Sequence, residues 1–115
     1  MNLSICPIAS SSKGNSYIIK SDETLLMLDM GISGLKMQKA FKYLNLKIKD
    51  IDGIMVTHEH VDHVRGCDKI FWVAEKSKLY CSKGTFEGML PKVKPIPEER
   101  IQLVENNQSF MVGDI

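Results

Sequence analysis

The chain has 115 residues, 43% of them apolar and 25% charged, with a formal net charge of +1. That is the size and composition of one small globular domain, and it excludes the broad basic footprint of a protein that grips nucleic acid by charge alone. No apolar run approaches the ~20 residues that span a bilayer, and no basic-then-apolar leader opens the chain, so we expect a cytoplasmic protein without a membrane partner.

Residues 3–9 are predicted to form a first strand, interrupted by Pro7, which argues for an edge position or a bulge. Residues 10–15 have turn chemistry, with Gly14-Asn15 suited to left-handed backbone. The serine run within it has no G-x-S-x-G elbow or triad partner, so a turn is favoured over a nucleophile. Residues 17–20 and 25–29 then make a hairpin around Ser21-Asp22-Glu23, and Asp29 closes the third strand. Ser33 is a candidate N-cap for a helix over 34–44, whose apolar face is Met37, Ala40, Phe41 and Leu44. Lys36, Lys39 and Lys42 fall off that face, as solvated surface. Residues 50–53 turn into an apolar strand over 53–57, so the strand-helix-strand order predicts a right-handed parallel crossover.

Every histidine of the chain lies in the next six residues, His58-Glu59-His60-Val61-Asp62-His63. Imidazole and carboxylate are the ligands that borderline-soft divalent metals prefer, zinc above all. On extended backbone, side chains two apart point the same way, so His58 and His60 can grip one ion together. Asp62 and His63 follow where a helix begins and aim in new directions, toward a second ion. A solvated loop is the bland alternative. Against it stands the position at the carboxyl end of a strand, where open α/β sheets bind ligands. Glu59 alternates away from the histidines and is expected to face solvent.

Beyond His63 the helical spacing runs through Cys67, Ile70, Phe71 and Ala74, with the N-terminal amides of that helix facing the site and favouring anions. Cys67 lies one helical turn past His63, but its apolar neighbours favour core packing over ligation. With Cys6 and Cys81 it makes an odd count without a C-x-x-C pair, which fits reduced thiols. A strand over 79–81, a short helix over 85–90, a loop enforced by Pro91, Pro95 and Pro97, strands over 101–104 and 109–112 and a turn at 113–115 complete the prediction.

The run Thr57-His58-Glu59-His60-Val61-Asp62-His63 resembles the T-H-x-H-x-D-H signature of the metallo-β-lactamase-fold hydrolases. Three flanking pieces resemble one branch of them, the YycJ/WalJ-like proteins: Ser10-Ser11-Ser12-Lys13-Gly14-Asn15-Ser16-Tyr17, Leu26-Met27-Leu28-Asp29-Met30-Gly31 and Gly84-Thr85. The resemblance implies an α/β (α+β) fold in which residues 1–115 form a single domain. It would be the N-terminal αβ half of an αββα sandwich, a mixed sheet with helices on one face and the C-terminal half absent. It implies metal ligands His58 and His60 on one ion, Asp62 and His63 on the other, and Asp62 also orienting the nucleophile or relaying its proton. Asp29 would lie beneath the loop and hold it by hydrogen bonds.

The implied activity is hydrolysis by a metal-activated hydroxide, with phosphodiesters in nucleic acid as leading substrate and thioesters or lactams as alternatives. Two divalent ions are implied for the complete enzyme, zinc foremost, with manganese or iron as alternatives. The family takes further ligands from its second half, and no histidine follows His63. Metal affinity and turnover of this chain alone are therefore expected to be weak or absent. A non-catalytic interaction module is the competing expectation, pairing either with the missing half or with a second copy of this chain.

Overall fold

Residue alternation decides which face of the sheet is buried. The computed structural model describes residues 2–11 and 14–115. Its six strands run β1 (Ser4–Ser11), β2 (Gly14–Lys20), β3 (Leu25–Leu28), β4 (Gly53–Met55), β5 (Lys78–Cys81) and β6 (Ile101–Leu103), and they lie in that order across one sheet. The pairs β1-β2 and β2-β3 are antiparallel, and every pair from β3 to β6 is parallel. Directly opposed residues share a face. The row Ile18, Met27, Ile54 and Leu79 is therefore one stripe, and it is wholly buried.

Helices α1 (Gly34–Tyr43), α3 (Cys67–Val73) and α4 (Lys83–Met89) cover that stripe with Met37, Phe41, Cys67, Ile70, Phe71 and Met89. Arg100 secures α3 from below. Its guanidinium donates to the carbonyls of Phe71, Ala74 and Ser77 and lies 3.6 Å from the Phe71 ring centroid. A cation at the negative end of a helix, over an aromatic face, is doubly favoured.

The opposite row, Tyr17, Leu28, Met55 and Tyr80, is only half-buried. What covers part of it is the last stretch of chain. Phe110 stacks on Tyr80 at 5.3 Å, and Val112 packs over Gly53 beside Leu26. Residues 109–112, expected as a strand, are not one. Val112 and Ile115 exchange backbone hydrogen bonds with each other in a turn at Gly113 instead of extending the sheet. The turn is clipped down where Ser21 and Thr24 hydroxyls each donate to Asp114 Oδ1 at 2.6 Å.

Pro7 falls on the sheet's edge strand beside a register shift between Pro7 and Ala9, as a missing donor dictates. Ser33 caps α1, its hydroxyl accepting from the Lys36 amide. Further expectations need correction. Gly14 and Asn15 are not left-handed turn residues but the first residues of β2, paired with Ser11 and Ser10; the Ser12 and Lys13 part of the expected turn lies outside the described residues. Leu44 caps α1 in an exposed position and is not part of its core face. The carboxyl of Glu59 faces solvent as expected, while its stem lies where Gly88 of α4 leaves room for it.

The single helix expected after the metal loop is two: α2 (Val61–Val64) and α3, broken at Arg65-Gly66. Gly66 donates its amide to Met30 O, and a side chain there would run into the carbonyl of Ile32. Close backbone approach breaks the helix. It also leaves α2 with four residues, too short for the anion-attracting terminus the periodicity implied.

Two tests follow from this packing. Gly66 has ordinary backbone angles, φ −92° and ψ 3°, so only the clash opposes a side chain. Gly66→Ala should destabilise by about 1–3 kcal/mol in urea unfolding; a glycine kept only for flexibility would instead give a gain of about 0.4–1 kcal/mol. The Ser21 and Thr24 hydroxyls hold the Asp114 carboxyl below its usual range. A depressed folded pKa gives stability that is complete above the unfolded value, near ~4, and lost as pH falls through the folded one. Acidification below about pH 4 should release the 108–115 segment, read as loss of the Phe110 ring-current shift on Tyr80.

Candidate metal centre

The functional side chains meet on one rim of the sheet, set by strand direction. β3 and β4 end there, antiparallel β2 begins there, and α2 docks against them. Asp29 follows the last residue of β3 in left-handed backbone, φ 61°, a conformation aspartate tolerates better than most residues. Its amide donates to Met55 O and its carbonyl accepts from the Ser16 hydroxyl, so the backbone is gripped on both sides.

Its side chain, 4% exposed, accepts three hydrogen bonds. Thr57 N–H reaches Oδ1 at 2.7 Å, while the Thr57 hydroxyl at 2.7 Å and His63 Nδ1 at 2.6 Å share Oδ2. An ionised carboxylate only accepts, so His63 carries a proton on Nδ1, which in the neutral ring leaves the lone pair at Nε2. The same logic reaches His58. Thr57 has given its only hydroxyl hydrogen to Asp29, so the 2.9 Å contact with His58 Nδ1 makes His58 the donor. Both imidazoles are thereby left with Nε2 free to ligate.

His58 and His60 are exposed on the loop after β4, with ring centroids 5.7 Å apart, and the His58 and His63 rings are 4.6 Å apart. Asp62 and His63 sit in α2, with Asp62 Oδ2 3.3 Å from His63 Nε2. At that spacing either a proton on Nε2 or a bound metal ion can join the ring to the carboxylate. Donors about 2.1 Å from a zinc ion at a tetrahedral angle stand about 3.4 Å apart, so this pair has the spacing of one edge of such a sphere. The chemistry of this donor pair suits such an ion. Among the described residues no three such side chains converge as a finished cage, so the sphere is begun but not closed.

Two residues around the site escaped the sequence reading. The carboxamide of Asn15 donates to Asp62 Oδ2 at 3.1 Å, across 47 positions of sequence, and no local signal announces that contact. Lys92 donates to the Glu59 carbonyl at 2.8 Å and ties the loop to the segment after α4. The Glu59 carboxyl is held below its usual range by its own backbone amide, against an opposing push from burial, with the Lys92 ammonium adding positive charge nearby. Cys67 is no part of the site. It is buried in the core, and desolvation pushes its thiol up to about 12.

The profile of the Metallo-beta-lactamase superfamily matches residues 11–107. This chain belongs to that superfamily. It is similar to the exodeoxyribonuclease YycJ of Bacillus anthracis, 35% identical over the whole chain and 41% of the relative. It is also similar to the exodeoxyribonuclease WalJ of Streptococcus pneumoniae, 36% identical over 71% of this chain and 30% of the relative. Among solved structures, Rm3 metallo-beta-lactamase superposes with a TM-score of 0.72 at 21% identity, covering 89% of this chain and 43% of that one. MIM-2 metallo-beta-lactamase gives 0.73 at 17%, covering 98% and 46%. The chain thus spans less than half the length of these relatives, and the solved structures share its fold. The mixed six-stranded sheet with helices on one face is that of the metallo-beta-lactamase αβ unit. No helix among the described residues is long and apolar enough to cross a membrane.

Asp29→Asn replaces an acceptor-only group with one that also donates. It should cost about 1–3 kcal/mol of stability by leaving Thr57 or His63 unpaired, with faster hydrogen exchange in α2 as the local sign. Burial raises Cys67 to about 12 and Cys81 to about 11, whereas Cys6 is only half-buried. Native alkylation at pH 8 should modify Cys6 alone; equal labelling of all three would contradict the packing.

Proposed function

We propose that this chain supplies the metal-gripping half of a metal-dependent hydrolase that cleaves phosphodiesters, with DNA as the leading substrate. The observation that carries this reading is the Asp62–His63 pair, held at 3.3 Å by an Asp29-anchored imidazole beside His58. His58 and His60 would hold one divalent ion and Asp62 and His63 a second, with zinc favoured by the donor set over manganese or iron. Bound there, such an ion lowers the pKa of its water toward ~7 and polarises a phosphoryl oxygen. The chain's own residues do the rest. Asp29 fixes the His63 tautomer, Thr57 relays that constraint to His58, and Asp62 orients the nucleophile and takes up its proton.

The choice of phosphodiester over thioester or lactam rests on the two exodeoxyribonuclease relatives and on the flanking pieces at Asn15 and Asp29. Four side-chain donors for two ions fall short of the three protein ligands usual for each catalytic zinc. The activity accordingly belongs to a longer protein that contributes the remaining ligands. Alone, this chain binds metal weakly and turns over little.

A second reading, an interaction module, is favoured by one observation. The Tyr17-Leu28-Met55-Tyr80 face is only half-buried, and Ile5 and Met111 are exposed at 65% and 69%. The remainder of a metallo-beta-lactamase domain would cover it, and a second copy of this chain is the alternative. Sedimentation across a wide concentration range separates them, since a monomer throughout removes the homodimer.

The decisive assay compares a DNA oligonucleotide, a thioester and a β-lactam, using this chain and a version extended to the length of its relatives. DNA hydrolysis by the extended protein alone is expected, falling at least about a hundredfold in Asp62→Ala. Full DNA hydrolysis by the 115-residue chain, or an unaffected Asp62→Ala variant, would overturn the proposal.

A further inference from the structure

We infer that Asn15 is a positioning residue for the metal centre, setting the rotamer of Asp62 through its carboxamide. This inference rests on the proposed role of Asp62 as a metal ligand and adds a residue to it.

The contact is built from both sides. Asn15 stands second in β2, its carbonyl accepting from the Gly31 amide at 2.8 Å. Its side-chain nitrogen donates to the Ser11 carbonyl at 2.9 Å and to Asp62 Oδ2 at 3.1 Å, with the Asp62 carbonyl 3.4 Å away. All three are acceptors, so the amide can face them only with its NH2 group, and a flipped carboxamide would set oxygen against oxygen. One hydrogen is spent on the edge strand and the other on the carboxylate.

Gly31 makes the approach close enough. A Cβ at Gly31 would meet the Asp62 carbonyl and the Asn15 amide nitrogen, so no other residue lets β2, the loop after β3 and α2 come together. The oxygen that Asn15 holds is the one 3.3 Å from His63 Nε2.

The chemistry of the amide suits that task. The terminal torsion of an aspartate is broad, so its carboxylate needs a partner to fix the plane. A lysine or arginine in this place would neutralise the carboxylate and repel an incoming cation. Asparagine orients it and leaves its charge for the ion. Outer partners of this kind typically account for about 10–100-fold in metal affinity.

The test is cobalt(II) titration of the 115-residue chain, read by visible d–d absorption and paired with urea unfolding. Asn15→Ala should weaken cobalt binding by about 10–100-fold and alter the band shape, with unfolding still a single cooperative step. Asn15→Asp keeps the shape, exchanges the donor for an acceptor and adds negative charge. It should also weaken binding and alter the band; charge alone would strengthen it. Should Asn15→Ala fail to fold, the Asn15→Asp result decides. Parent-like affinity and spectrum in the folded variants, or tighter binding by Asn15→Asp, would overturn the role of Asn15 while leaving the metal reading intact. No cobalt band at millimolar metal in either the parent chain or a version extended to the length of its relatives would overturn both.

Discussion

One buried carboxylate holds the candidate site together. Asp29 accepts from the Thr57 amide, the Thr57 hydroxyl and His63 Nδ1, and so joins the end of β3, the loop after β4 and helix α2. Its left-handed backbone costs roughly 1–2 kcal/mol. Three hydrogen bonds to a charged group, each worth about 1.5–3 kcal/mol, outweigh that. Without this anchor neither histidine tautomer would be defined, and the loop would be as free as its exposure permits.

Everything else about the fold serves to bring that rim into being. The buried row of Ile18, Met27, Ile54 and Leu79 fixes the register of β2 to β5, and register fixes which residues reach the strand ends. Glycines at 31 and 66 then permit backbone contacts that pull α2 against the sheet. The helix-covered face is complete, while the other is covered in part by a C-terminal turn. Core and candidate site therefore stand in different states: the core is closed, whereas the proposed donor set has four members for two ions.

What was legible in the sequence follows from the range of each interaction. Strand alternation and the helical spacing of Met37 and Phe41 are local, and they locate β1 to β6 and α1 to within a few residues. The histidine cluster was visible because its members are neighbours in sequence, though their ligand roles remain a proposal. Long-range packing was hidden. The break between α2 and α3 comes from Gly66 meeting the Met30–Ile32 backbone, and the alternation in 109–112 meets no strand to pair with. Asn15 looked like a turn residue for the same reason: its partner lies 47 positions away.

Histidine nitrogen NMR of the 115-residue chain during zinc titration tests the central claim most directly. Nδ1-protonated His58 and His63 are expected before zinc, with Nε2 of both moving as the ion arrives and Nδ1 of His63 keeping its proton. Nε2-protonated rings in the free chain, or zinc that leaves Nε2 of His63 untouched, would contradict it.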